Sequence, residues 1–168
     1  MVLLIALGVV IRGETAHADL VGTLKYNFED IRNSIERSSA RETAARVAAG
    51  TIARKLLEEF GISIGSYVEN IGGVYSKTNL LKDLVENKTF AKKSGWQISQ
   101  QADKSEVRVF DSVQEKSIVN KITLAKKSGD TLGGTFVTLA TGVPVGLGSF
   151  MQFDRRIDAV IAFHLMSI

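Results

Sequence analysis

A chain of 168 residues with 45% hydrophobic and 23% charged side chains can bury the core of one domain and has ordinary globular composition. Its 21 basic and 18 acidic residues leave a net charge of +3, too slight a surplus to argue for a nucleic-acid partner. With no cysteine and only two histidines, a disulfide framework and thiolate chemistry are excluded and a structural zinc site is disfavoured.

In chain order, Met1–Ile11 is an apolar run, shorter than the roughly 20 residues a membrane-spanning helix needs. Ala16-His17-Ala18 has the form of a leader cleavage site, but no basic segment precedes the run, and Arg12 and Glu14 sit where small neutral residues are preferred. A buried strand, or an atypical start on a truncated chain, is the alternative. His17–Asn27 reads as a loop leading into a turn, and Phe28–Arg37 as a helical turn broken at Ser38-Ser39. Ser39-Ala40-Arg41-Glu42 spells a capping box, so a helix is expected from about Ala40 to Phe60, with Gly61 as its stop. Ala44, Val47, Ala48, Ile52, Leu56 and Phe60 fall on one face of it. The small Ala45, Ala48 and Ala49 predict close approach of another element. Ile62, Ile64 and Val68 mark a strand ended by Gly72-Gly73.

Asn79–Lys93 has the pattern of a helix with Leu80, Leu81, Leu84 and Val85 inward, and Ser94–Ser105 that of a polar surface excursion. Asp111 can cap a long helix, Ser112–Ser128, that Gly129 stops. Thr131–Thr141 is strand-like and apolar on both faces, which predicts burial between layers. The 142–148 loop holds the only proline, Pro144, and lacks the spacing and following helix of a dinucleotide fingerprint. Asp154 can cap a last helix, Arg155–Ser167. Helix followed by strand thus occurs twice, over 40–70 and 112–141, a weak hint of two similar halves. No linker or composition shift divides the chain. The expected fold is α+β, with long helices layered against antiparallel sheet, in a single domain over 1–168.

The chemically richest stretch is Arg37–Gly50, RSSARETAARVAAG. A helix starting there aims unpaired amides and the positive end of its dipole forward. Arg37 and Arg41 flank that end, and Ser38 and Ser39 add hydroxyls, which together suit a phosphate or carboxylate. An ordinary helix with a good cap fits the same residues. His17 is either a solvated loop residue or a group titrating near neutrality that can move a proton. Asp19 and Asp30 read as structural, capping a helix or pairing with arginine. Arg46 and Arg54 read as a solvated helix face, and His164 has no assigned role. No Ser-His-Asp arrangement can be assembled from the spacing.

RSSARETAARVAAG closely resembles the signature helix of chorismate synthases. HADL at 17–20, LKY at 24–26, DIR at 30–32, FGISIGS at 60–66, SGDTLGG at 128–134, ATGVPVGLGS at 140–149 and LMSI at 165–168 resemble that family in the same order. The resemblance thins between Tyr75 and Glu106. It implies a sandwich of helices between sheets and a 1,4-anti elimination of phosphate from 5-enolpyruvylshikimate 3-phosphate. It also implies that reduced FMN is required without being consumed, with a homotetramer in the cytosol; no metal, nucleic-acid or membrane partner is expected. It assigns flavin contact to Arg37, Ser38 and Ser39, a place near flavin and substrate to Arg41, and a catalytic role beside the flavin to His17. The family has Arg-Pro-Gly before that histidine, where this chain has Glu14-Thr15-Ala16. The family's Gly-x-Ser-His-Gly segment and its C-terminal motifs have no counterpart here, so the chain reads as an internal portion truncated at both ends. A non-catalytic flavin- or anion-binding fragment, or a helical packing module with no ligand, are the alternative readings.

Overall fold

The computed structural model describes residues 18–77, 82, 86 and 92–167. Met1–Ile11, His17 and nearly all of the helix expected over Asn79–Lys93 lie outside the described residues. The chain divides into two compact units, residues 1–50 with 166–168, and residues 51–165.

The first unit begins with a helix where a loop was expected. α1 spans Asp19–Tyr26. Asp19 in its first turn and Lys25 in its last both oppose the helix dipole favourably. Asn27 ends it in the left-handed conformation at φ 52°, and the Phe28 amide donates to the Thr23 carbonyl at 3.1 Å. α2, Arg32–Ser38, packs against α1. Their contact is close because Gly22 faces the buried Ser34: a Cβ at Gly22 would lie 2.1 Å from the Ser34 hydroxyl. Asp30 accepts from the Arg32 amide and from its guanidinium at 2.7–3.3 Å, which gives that aspartate a structural role. The guanidinium hydrogen bonds hold the Asp30 carboxyl below its usual range, so the pair fades as pH falls through that lowered value.

α3 runs Glu42–Glu59 from one unit into the other. The chain does enter a helix after Ser39, but not through the expected capping box. The Ser39 hydroxyl accepts from the Arg41 amide at 3.2 Å, and the amides of Glu42, Thr43 and Ala44 each bond three residues back. The Glu42 carboxylate turns to Arg37 and Arg46 instead, so the second half of the box is absent. The apolar stripe is also uncovered, contrary to expectation. Val47, Ile52, Leu56 and Phe60 are each more than 60% exposed, and Ala45, Ala48 and Ala49 are exposed too. Helical spacing measures amphipathicity; it does not supply the surface that would cover it.

The second unit is built on an antiparallel sheet of order β2-β1-β3, comprising β1 Ser63–Ile71, β2 Val74–Tyr75 and β3 Gly134–Thr141. β1 pairs with β3 from Ser63↔Thr141 to Ile71↔Gly134, with one bulge between Val68 and Asn70. Gly72-Gly73, both at positive φ, make the hairpin turn to β2. Only one face of β3 is covered: Val137, Leu139 and Thr141 are half-buried while Phe136, Thr138 and Ala140 are exposed. This corrects the expectation of burial on both faces.

The element that covers the sheet is α4, Gly95–Ala102, inside the stretch read as a polar excursion. Ser94 accepts from the Gln97 amide and Gln97 reaches back to the Ser94 amide, so a full capping box sits here. The helix lies directly on β1. The Gly95 amide donates to Thr141, the Trp96 amide donates to the Ser63 hydroxyl, and Ser99 both accepts from and donates to the Ser66 backbone. Tyr67, Ile98 and Ala102 form the core, flanked by Phe110, Val137 and Leu139. Arg108, at φ 59°, ties β1 to α4 through Ser66 and Ser99 and pairs with Asp103 at 3.1 Å.

α5, Ser112–Ser128, is as expected: Asp111 caps it at 2.8 Å from the Val113 amide, and Gly129 ends it at φ 69°. Ile118 is fully buried, and Gln114 donates to the carbonyls of Glu69 and Val74, which docks the helix on the hairpin. The last helix is shorter than expected. A 3-10 turn, Phe153–Arg155, is followed by extended Arg156 and then α6, Ile157–Leu165. Asp154 therefore does not cap the last helix, and it is Arg156 whose carbonyl accepts from Val160. Arg54 departs from the solvated face expected of it: its guanidinium lies over the Trp96 ring at 4.4 Å.

Candidate functional site

Of the predicted site residues, Arg37, Ser38, Ser39 and Arg41 fall at the α2–α3 junction, and His17 lies outside the described residues. Arg37 and Ser38 are the last two residues of α2, Ser39 is extended at ψ 140°, and Ala40–Arg41 turn the chain into α3. The break at Ser39 separates the two helices, so Arg37 and Arg41 stand on either side of a tight turn. Arg37 pairs with Glu42 at 3.0 Å while its side chain stays 76% exposed. Arg46 shares the same carboxylate at 3.2 Å and donates to Ser167 at 3.4 Å, so it is a partnered residue and not a bare solvated one. Arg41 is exposed and its backbone amide is held by Ser39.

A depression of about 530 Å³ lies between α1 and α2. Of the expected residues it gathers Arg37 and Ser38; Ser39 and Arg41 are not among those lining it. It adds Lys25, Tyr26, Phe28 and Asn33, which residue patterning did not single out. The Tyr26 and Phe28 rings stack at 5.6 Å between centroids, and the Lys25 ammonium sits 5.3 Å from the Tyr26 ring. Three of these follow from α1 being a helix: it presents Lys25 and Tyr26 at its C-terminal turn, and the left-handed Asn27 folds Phe28 back beside them, while Asn33 comes from α2. The one signal in the sequence was the LKY block, which carried no assigned role.

Two ammonium or guanidinium groups, a hydroxyl, an amide side chain and a stacked aromatic pair in one cleft can hold an oxyanion attached to a planar body. Among the described residues, no group of three or more His, Asp or Glu side chains could hold a metal ion. Likewise, no described helix is long and apolar enough to cross a membrane.

Fold and cleft together define an α+β protein with a basic, aromatic-walled cleft. The family model for chorismate synthase matches residues 10–168. Chorismate synthase of Listeria welshimeri is 47% identical over 159 residues, covering 95% of this chain and 38% of that protein. The enzyme of Streptococcus mutans is 48% identical over 152 residues, covering 90% and 36%, and that of Chlorobaculum tepidum 50% identical over 152, covering 90% and 37%. A crystal structure of chorismate synthase, 44% identical, superposes with a TM-score of 0.74 over 90% of this chain and 44% of that one. The chain belongs to the chorismate synthase family. It spans less than two fifths of the length of these curated relatives. The superposition also bears out the α+β class with antiparallel sheet.

Proposed function

We propose that this chain serves the chorismate synthase reaction, the 1,4-anti elimination of phosphate from 5-enolpyruvylshikimate 3-phosphate, and that its share is a flavin- and anion-binding corner. The observation that carries this reading is the unbroken RSSARETAARVAAG stretch, with Arg37 and Ser38 lining a basic cleft in a chain that belongs to the chorismate synthase family. The donor set fits FMN in kind: cations and a hydroxyl for its phosphate, and stacked rings for its planar body. Reduced FMN would supply transient electron density to the departing allylic phosphate. Arg37 and Ser38 would hold the nucleotide, with Ser39 at the turn beside them. Arg41 would face a substrate anion, and His17 would hold a proton near the flavin. A homotetramer in the cytosol, one domain over 1–168, and a small-molecule substrate with no nucleic-acid or membrane partner complete the proposal.

Counting anions limits what the chain does alone. Substrate and FMN together bring two phosphates and two carboxylates, and each costs several kcal/mol to strip of water unless cations and donors replace the hydration. Lys25, Arg37, Arg41 and His17 can satisfy one phosphate well and a second group in part. Anaerobic assay with reduced FMN is expected to show little turnover by the 168-residue chain, and less still for Arg37→Ala and Arg41→Ala. Robust turnover that both variants retain would refute the assignment of these arginines. If the chain binds FMN with no turnover at all, the non-catalytic flavin-binding reading replaces this one.

A further inference from the structure

The charges inside the α1–α2 cleft are unequally matched. Two cations line it, Lys25 and Arg37. Arg37 already has Glu42 at 3.0 Å, a carboxylate it shares with Arg46. Lys25 has no carboxylate within 4 Å among the described residues, and its ammonium rests against the face of the Tyr26 ring. A lysine over an exposed ring is held only weakly there and keeps its three N–H donors. The cation in this cleft that has no carboxylate partner among the described residues is therefore the lysine, to which no family motif assigned a role.

We propose that Lys25 is the anchor for a phosphate monoester in this cleft. The ammonium takes the dianionic phosphate, and Ser38 and Arg37 complete the cradle from α2. The Tyr26–Phe28 pair lies beside the body of the ligand. This rests on reading the cleft as the ligand site. Two phosphate monoesters fit the chemistry, FMN and the phosphorylated substrate. A purely structural alternative is that Lys25 only complements the C-terminal end of the α1 dipole.

Titrations of the full chain separate these. The probes are FMN against riboflavin, which lacks the phosphate, and 5-enolpyruvylshikimate 3-phosphate against its dephosphorylated form. The unmodified chain is expected to prefer the phosphorylated member of at least one pair by roughly tenfold, as one charge-assisted contact supplies. Lys25→Gln should abolish that preference while leaving the unphosphorylated member's affinity unchanged, and Lys25→Arg should keep it. A dipole role would lower the melting temperature of Lys25→Gln and leave the preference intact, which overturns the proposal. So does the absence of any preference in both pairs for the unmodified chain. If the chain ignores both flavins but prefers the phosphorylated substrate in a Lys25-dependent way, the flavin assignment fails and the Lys25 anchor stands.

Discussion

Gly65→Ala is expected to destabilise the second unit by about 3 kcal/mol or more, a large fraction of the stability of a marginally stable domain. A Cβ at Gly65 would lie 1.9 Å from the carbonyl oxygen of Gly95, and the neighbouring carbonyl carbon and Cα of Gly95 are within 3 Å. The obstacle is backbone on backbone, so no side-chain rotation relieves it. The converse holds at Gly95, where a Cβ would meet the Ser63 oxygen at 2.6 Å and the Gly65 nitrogen at 2.7 Å. The two glycines let α4 begin against β1, and the amide bonds to Ser63 and Thr141 depend on that approach. Gly50 is the control: a Cβ there meets nothing within 4 Å, and alanine in that exposed helical turn should stabilise by about 0.5–1 kcal/mol. Urea unfolding followed by Trp96, the only tryptophan and a neighbour of the junction, measures all three. An unchanged midpoint for Gly65→Ala would show that α4 does not rest on β1 in this register.

Ile98→Ala should cost about 2–5 kcal/mol, and Ile98→Val about 0.5–1.5. Ile98 is 1% exposed and packs with Tyr67 and Ala102, so truncation leaves a cavity that rigid sheet and helix backbones cannot close. The Tyr67 ring is also held by Phe110 at 5.2 Å, which limits collapse toward the gap. Leu56→Ala offers the contrast. Leu56 lies on the α3 stripe and is 61% exposed, so its loss should shift stability by no more than about 0.5 kcal/mol. Equal costs at the two positions, read by the same urea unfolding, would mean that the α3 stripe is covered in solution.

Some of this molecule was legible from residue patterns and some was not, for identifiable reasons. α5 announced itself through Asp111, a long periodic run and Gly129, and β1 through branched residues closed by Gly72-Gly73. α4 was missed because it is two turns long and buries mostly small residues, Gly95, Ser99 and Ala102, which leave no apolar period. Its readable signal was the Ser94–Gln97 capping pair. At Ser39–Glu42 the same kind of signal misled, since nearby Arg37 and Arg46 compete for the glutamate. α1 was missed although Asp19, Lys25 and Asn27 each sit where a short helix favours them. At the candidate site, Arg37 and Ser38 were legible through the signature stretch. Lys25, Tyr26 and Phe28 join them only because α1 and α2 pack, a tertiary fact that no local pattern encodes.

The reading of the α1–α2 cleft as a flavin corner is tested most directly by an absorbance titration with FMN under reducing conditions, comparing the unmodified chain with Arg37→Ala. Arg37 shares the Glu42 carboxylate with Arg46 and stays 76% exposed, so its contact with a ligand is screened by water and binding should be weak, and it should be saturable with one site per chain. Arg37→Ala should weaken it by roughly tenfold, the worth of one charge-assisted contact, with the fold intact by circular dichroism. An Arg37→Ala chain that binds FMN as well as the unmodified one, or an unmodified chain with no saturable response at all, would contradict it.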